Sequence, residues 1–189
     1  KGLESPRPKS KKTKINYVLY SGELQNSIIS EIEPHHRTIF KFMKLHLTRK
    51  SETRAIMKDC VDLKNKTIIM RRNFSRSTLT DKTKGKTDRI VPIADEFMPE
   101  IERLCNEIPP FKNDFIFRNK RGKHYGENYL TSLWKKATEV LKIPYVPLHW
   151  GTRTSGATEL LKMGYSLRDI QAMLGHADYR TTEKSYAHY

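Results

Sequence analysis

Cysteine is scarce in this chain of 189 residues, with Cys60 and Cys105 the only two. They stand far apart in apolar surroundings and without metal-ligand spacing, which excludes a disulfide framework and fits reduced, buried thiols in a cytosolic protein. Long apolar runs are missing too. None approaches the roughly 18 residues that span a bilayer, and Lys1 opens no signal-peptide pattern, so the expectation is a soluble, cytoplasmic protein with no membrane partner. No carboxylate cluster and no Cys and His set at ligand spacing is present, so no cofactor and no metal are expected. No internal repeat is found.

Acidic residues are the other shortage. The 21 Asp and Glu face 36 Lys and Arg, a formal charge of +15. An excess of that size favours a polyanionic partner such as nucleic acid, bound in a salt-sensitive way. Six of the cations (Lys1, Arg7, Lys9, Lys11, Lys12, Lys14) lie in the first fourteen positions against Glu4 alone, which leaves +5 there and +10 in the rest. Residues 1–14, with Pro6 and Pro8, have the composition of a basic linker or disordered tail. The abrupt start suggests a fragment that has lost an N-terminal partner domain, and the remaining 15–189 is of a size for one core.

Apolar periodicity predicts two helices before residue 50, one through Leu24, Ile28, Ile29 and Ile32 and one, after Pro34, through Ile39, Phe40, Met43 and Leu47. The β-branched stretches Thr67–Arg71 and Arg89–Ile93 predict strands, with a long polar segment between them. Helical spacing returns from Phe97 to Ile108 and from Leu130 to Leu141. Ser166 and Asp169 form a capping box and Gly175 stands where a C-terminal cap is wanted, so a short helix delivers His176 at its end. Thr181-Thr182-Glu183 predicts the start of a last helix carrying Tyr186. The expected class is mainly α with a small antiparallel sheet, that is, α+β.

Several short segments hold Arg, Lys, His and Tyr in a fixed order. Leu47-Thr-Arg49-Lys-Ser-Glu52 puts an arginine three residues before an acid at a helix start. Thr83-Lys84-Gly85-Lys86-Thr-Asp-Arg89-Ile-Val-Pro92 follows, then Arg153-Thr-Ser-Gly-Ala-Thr, Leu174-Gly-His176, Thr181-Thr182 and Tyr186-Ala-His188. From about Arg49 to the end, this series resembles the catalytic domain of the tyrosine recombinase, or phage integrase, family, with its fold of the DNA breaking-rejoining type. The resemblance implies that Arg49 and Arg153 are the two catalytic arginines, His176 the histidine of the Leu-Gly-His motif and Tyr186 the nucleophile. It assigns the catalytic lysine, eight positions before a proline, to Lys84 rather than Lys82 or Lys86.

Physical reasoning supports those types of residue. A phosphodiester under attack gathers charge on its non-bridging oxygens, and the bidentate forks of two arginines can hold it. A phenol with a pKa near 10 needs nearby cations and a base to become a nucleophile. A lysine beside Lys82 and Lys86, its pKa lowered by them, can protonate the leaving 5′-oxygen. The implied activity is site-specific cleavage and rejoining of double-stranded DNA through a 3′-phosphotyrosyl intermediate, without metal or ATP, by a homotetramer on DNA whose isolated domain is monomeric. Arg71, Arg72 and Arg76, with Lys82 and Lys86, are candidates for the DNA backbone, and Glu52 for orienting an arginine. A type IB topoisomerase-like activity and a decayed DNA-binding module are the rival readings.

Two departures from the family pattern stand out. A histidine is usual three residues before the second arginine, but Trp150 holds that place and His149 lies four before Arg153. Either His149 is brought into the site or Trp150 fills the position. His176 and Tyr186 are ten residues apart where nine is commoner, which makes Tyr189 a rival nucleophile, although only Tyr186 has the Tyr-x-His ending.

Overall fold

The computed structural model describes residues 18–81 and 88–186. The expected tail at 1–14, the lysines Lys82, Lys84 and Lys86, and Tyr189 and His188 all lie outside the described residues. Helices α1 (Gly22–Glu31) and α2 (Pro34–Leu45) form where predicted. Ser21 Oγ accepts the Leu24 N–H at 3.2 Å to start the first, and Pro34 opens the second, where its missing N–H costs nothing. A single turn, α3 (Lys50–Thr53), comes next.

Strands β1 (Val61–Asp62), β2 (Thr67–Met70) and β5 (Arg89–Pro92) make an antiparallel sheet in the order β1-β2-β5, with Ile68 opposite Val91 and Met70 opposite Arg89. The polar segment between β2 and β5 holds more order than its composition suggests. Asn73–Ser75 (β3) and Thr78–Thr80 (β4) pair as a hairpin, turned at Arg76 with φ 54°. Its anchor is Phe74, buried against Phe115 and His124 and with the Arg54 guanidinium 4.7 Å from its ring centre.

Helices α4 (Met98–Asn106) and α5 (Tyr129–Val140) complete the main core, in which Phe40 stacks on Trp134 at 6.0 Å. A π-helical turn, Trp150–Thr154, runs directly into α6 (Ser155–Lys162), followed by α7 (Leu167–Leu174) and α8 (Tyr179–Tyr186). The Ser166–Asp169 capping box is in place, and Gly175 ends α7 with φ 62°. Helix α8 begins earlier than the two threonines suggest, because Asp178 accepts the Arg180 N–H at 2.9 Å and opens the turn there. A second, smaller apolar cluster of Leu47, Ala157, Ile170, Leu174 and Tyr186 joins α6, α7 and α8. Both cysteines are free and buried. No helix among the described residues is long and apolar enough to cross a membrane.

Candidate active site

The smaller apolar cluster is the floor on which the polar residues gather. Arg49 stands at the N-terminus of α3, and its Nη1 donates to Glu52 Oε1 at 2.7 Å while its backbone N–H donates to Oε2 at 3.3 Å. The second oxygen of the same carboxylate accepts from Arg89 Nη2, also at 2.7 Å. Glu52 is buried. Burial pushes its pKa up, but Arg89, Arg49 and, further off, Arg153 together hold it below the ordinary carboxylate value. Its negative charge therefore persists at neutral pH and fixes two guanidinium groups in place.

Arg89 was not among the residues the sequence pointed to, one cation among many at the start of a strand. The structure gives it three attachments. Besides Glu52, its Nη1 donates to the Met173 carbonyl at 2.8 Å, at the C-terminal end of α7 where cations are favoured. Its side chain also lies against Gly175, so close that a Cβ there would stand 2.5 Å from Arg89 Cδ. Gly175 is thus required twice, by its left-handed backbone and by this approach.

Arg153 is buried and anchored through both Nη atoms. It donates to the carbonyls of Leu47 and Leu174, the latter at 2.6 Å, and its Nη2 lies 3.3 Å from His176 Nε2. Leu47 takes φ 48°, uncommon for a branched residue, in the turn that presents its carbonyl to Arg153. Burial, then the neighbouring Arg49, works against the charge of Arg153, yet a guanidinium does not give up its proton in a protein, so the charge is held by these acceptors and by Glu52 nearby. The phenol of Tyr186, itself 4% exposed, is close enough for its anion to favour the Arg153 charge.

His176 Nδ1 lies 2.8 Å from Thr182 Oγ1 on α8. Burial first, then Arg153, Arg49 and Arg89, lower the His176 pKa to about 4 against the pull of Glu52. His149 feels the same surroundings, and burial with Arg153, Arg49 and His176 takes it to about 4 as well. His149 is exposed at the surface, yet the protein atoms around it weigh against its charge. Both imidazoles are neutral at pH 7 and able to accept a proton.

The π-helical turn explains how His149 comes near the others. A π-turn holds one more residue than an α-turn, so a histidine four before the arginine faces the direction that an α-helix gives to one three before. Gly151 makes the wider turn fit against the core, since a Cβ there would lie 2.6 Å from Trp134 Cζ2. Trp150 is 36% exposed and its carbonyl accepts from Ser155 Oγ at 2.7 Å.

Arg49, Glu52, His149, Arg153, His176 and Tyr186 are therefore brought together. Arg71 and Arg72 are not with them. Arg72 meets Asp59 with both Nη atoms at 2.7 Å and reaches Asp81 at 3.3 Å, and Arg71 pairs with Asp59 at 2.9 Å. Arg76 is exposed at the hairpin turn. Among the described residues, no group of three or more His, Cys, Asp or Glu could hold a metal ion.

Comparison with known proteins gives a consistent set. The sequence profile of the phage integrase family matches residues 21–189. Tyrosine recombinase XerD of Listeria monocytogenes serotype 4b (strain F2365) is 34% identical over 110 residues, 53% of this chain and 36% of the relative. The chain thus spans about a third of the length of such curated relatives. The Tn1549 transposon integrase in complex with circular intermediate DNA superposes with TM-score 0.76 at 18% identity, covering 91% of this chain and 63% of that one. The crystal structure of XerA recombinase gives 0.72 at 22% identity, covering 97% and 61%. These two likenesses are of fold.

Proposed function

Because this chain belongs to the phage integrase family, we propose that it is the catalytic domain of a tyrosine recombinase, which cuts and rejoins duplex DNA through a covalent bond to Tyr186. The observation that carries the reading is that Arg49, His149, Arg153 and His176, from segments spread over most of the sequence, come close enough to act on one another's charge, with the Tyr186 phenol beside Arg153. The outward reach of Arg49, 30% exposed, and the buried fork of Arg153 suit the non-bridging oxygens of one phosphate. The cations favour the Tyr186 phenolate, and a neutral histidine, His176 or His149, takes its proton. The phenolate oxygen attacks phosphorus, a bond to the 3′-phosphate forms, and the bond to the 5′-oxygen breaks. That oxygen leaves with a proton from a general acid, a role assigned to Lys84 by the family resemblance.

The reverse attack by a 5′-hydroxyl of another strand reseals the DNA with no net loss of phosphodiester bonds, so neither ATP nor a metal is consumed in the scheme. By the same reading the partner is double-stranded DNA at a recombination site, held by a homotetramer of the longer protein in the cytoplasm. A library of nicked suicide duplexes tests this. The expected result is a covalent protein–DNA adduct that survives EDTA and is lost in Tyr186→Phe. Normal DNA binding without an adduct supports a decayed binding module instead, and supercoil relaxation with no site requirement supports a topoisomerase.

A further inference from the structure

We propose that Tyr20 is a positioning residue for the active site, one that clasps both ends of the segment 144–155 and so fixes where His149 stands. This rests on the reading of His149 and Arg153 as parts of the reacting centre. Tyr20 comes just before α1 and is buried, and its carbonyl accepts from Gln25 Nε2 of that helix at 3.3 Å. Its phenol reaches the beginning of the segment, where the hydroxyl donates to the Pro144 carbonyl and accepts the Val146 N–H at 2.9 Å. Donation needs the phenol proton, and burial keeps it there by raising the pKa. The backbone N–H of Tyr20 reaches the other end and donates to Ser155 Oγ at 3.1 Å. Ser155 Oγ lies 2.7 Å from the Trp150 carbonyl. An N–H can only donate and a carbonyl can only accept, so the hydroxyl between them takes from Tyr20 and gives to Trp150. The Ser155 N–H donates to the same carbonyl, and the wide end of the π-helical turn thus closes on Ser155.

His149 and Arg153 lie between these two holds, and they depend on Tyr20 unequally. Arg153 has anchors from elsewhere in the chain, the carbonyls of Leu47 and Leu174. His149 is exposed, and its place follows from the backbone on either side of it. Val146 is tied by its N–H to Tyr20 and by its carbonyl to Trp134 Nε1 at 3.0 Å, and the Trp134 ring also lies against Gly151. Trp134 supports the middle of the segment, whereas Tyr20 joins its ends. Taking away the phenol oxygen leaves the buried Val146 N–H without its acceptor and loosens the stretch that leads into His149. A loosened His149 gains water and moves away from the arginines, and both changes favour its charged form. The groups that act on its charge are Arg153, Arg49, His176 and Glu52. His176 is held from α7 and α8 instead, through Gln171 and Thr182, so it stands apart from the clasp and serves as an internal control.

NMR titration of the two imidazoles reads the clasp directly. In Tyr20→Phe, which keeps the ring and removes the clasping oxygen, the His149 pKa should rise from about 4 toward the ordinary 6.5 while His176 stays at about 4. Ser155→Ala opens the other end and should move His149 in the same direction. In single-turnover cleavage of a nicked suicide duplex, Tyr20→Phe should lower the rate about fivefold, with DNA affinity and the fraction of active protein unchanged, and should add nothing in a His149→Ala background. Should Tyr20→Phe not fold, Ser155→Ala gives the same reading. An unmoved His149 in the folded variant overturns the proposal. So do two histidines that shift together, the mark of general loosening, or losses that multiply with His149→Ala. Full-rate cleavage by His149→Ala would instead sink the place of His149 in the reaction, while the titration goes on to judge Tyr20 alone.

Discussion

Two arginine clusters in this chain are built from the same parts and do different things. Around Asp59, two arginines meet two carboxylates, Asp59 and Asp81, and the charges cancel. Around Glu52, three arginines (Arg49, Arg89 and Arg153) meet a single carboxylate, which leaves two positive charges over. In the first cluster, Arg72 spends its fork on a carboxylate of its own chain. In the second, Arg153 spends its donors on neutral carbonyls and an imidazole, which fix its direction without cancelling its charge. The difference shows that the number of arginines says little about anion binding. What matters is how many carboxylates come with them, and a site with a surplus is the one prepared for a phosphate.

The comparison breaks most visibly in cleavage. Arg49→Ala or Arg153→Ala should lower the single-turnover cleavage rate by about 10²–10³-fold, the loss typical of one fixed donor to a developing oxyanion. Arg72→Ala should leave it within about twofold. Equal losses from both clusters would dissolve the distinction. Stability comes next. Glu52→Gln leaves the partly buried Arg49 and Arg89 without their shared carboxylate, and urea unfolding should show a loss of about 3 kcal/mol. Asp59→Asn, whose carboxylate is a third exposed to screening water, should cost under about 1 kcal/mol. Gly175→Ala should cost about 1–2 kcal/mol from its left-handed backbone, and should also push Arg89 off the Met173 carbonyl.

The smallest effect is in pH. His149 and His176, held at about 4 by burial and nearby arginines, are each lower folded than the ordinary 6.5. Their contribution to stability is full above pH 6.5 and is lost as pH falls through about 4. Asp59, lowered to about 2 chiefly by its hydrogen bonds with Arg72, keeps its contribution well below that. On acidification from pH 6.5 the Glu52 side should therefore loosen before the Asp59 side, which amide exchange can follow. NMR titration should place both imidazoles near 4 in the DNA-free protein, and a bound phosphate should raise them by neutralising the surplus charge.

Much of the site was legible in residue order. Arg49, Glu52, Arg153, His176 and Tyr186 stand in distinct local settings, a helix start, a helix cap or a short motif, and such settings can be read from neighbours in sequence. Arg89 was not legible in this way, because its role comes from Glu52, Met173 and Gly175, far away along the chain. Arg71 and Arg72 read as candidates for the DNA backbone, and nothing nearby in sequence announces Asp59 as their partner. The β3–β4 hairpin escaped notice because one buried aromatic, Phe74, holds an otherwise polar ribbon, and one residue makes no alternation. The fate of Lys84 lies beyond the described residues and rests on the family resemblance.

The π-helical turn at Trp150–Thr154 bears on how such proteins are compared. Spacing rules for helical motifs count residues, yet what a substrate meets is angle. A widened turn lets one added residue pass without rotating the histidine and arginine apart, so two chains can carry the same constellation under different spellings. Searches that insist on a fixed interval would pass over His149, although the turn keeps it close enough to Arg153 to feel its charge.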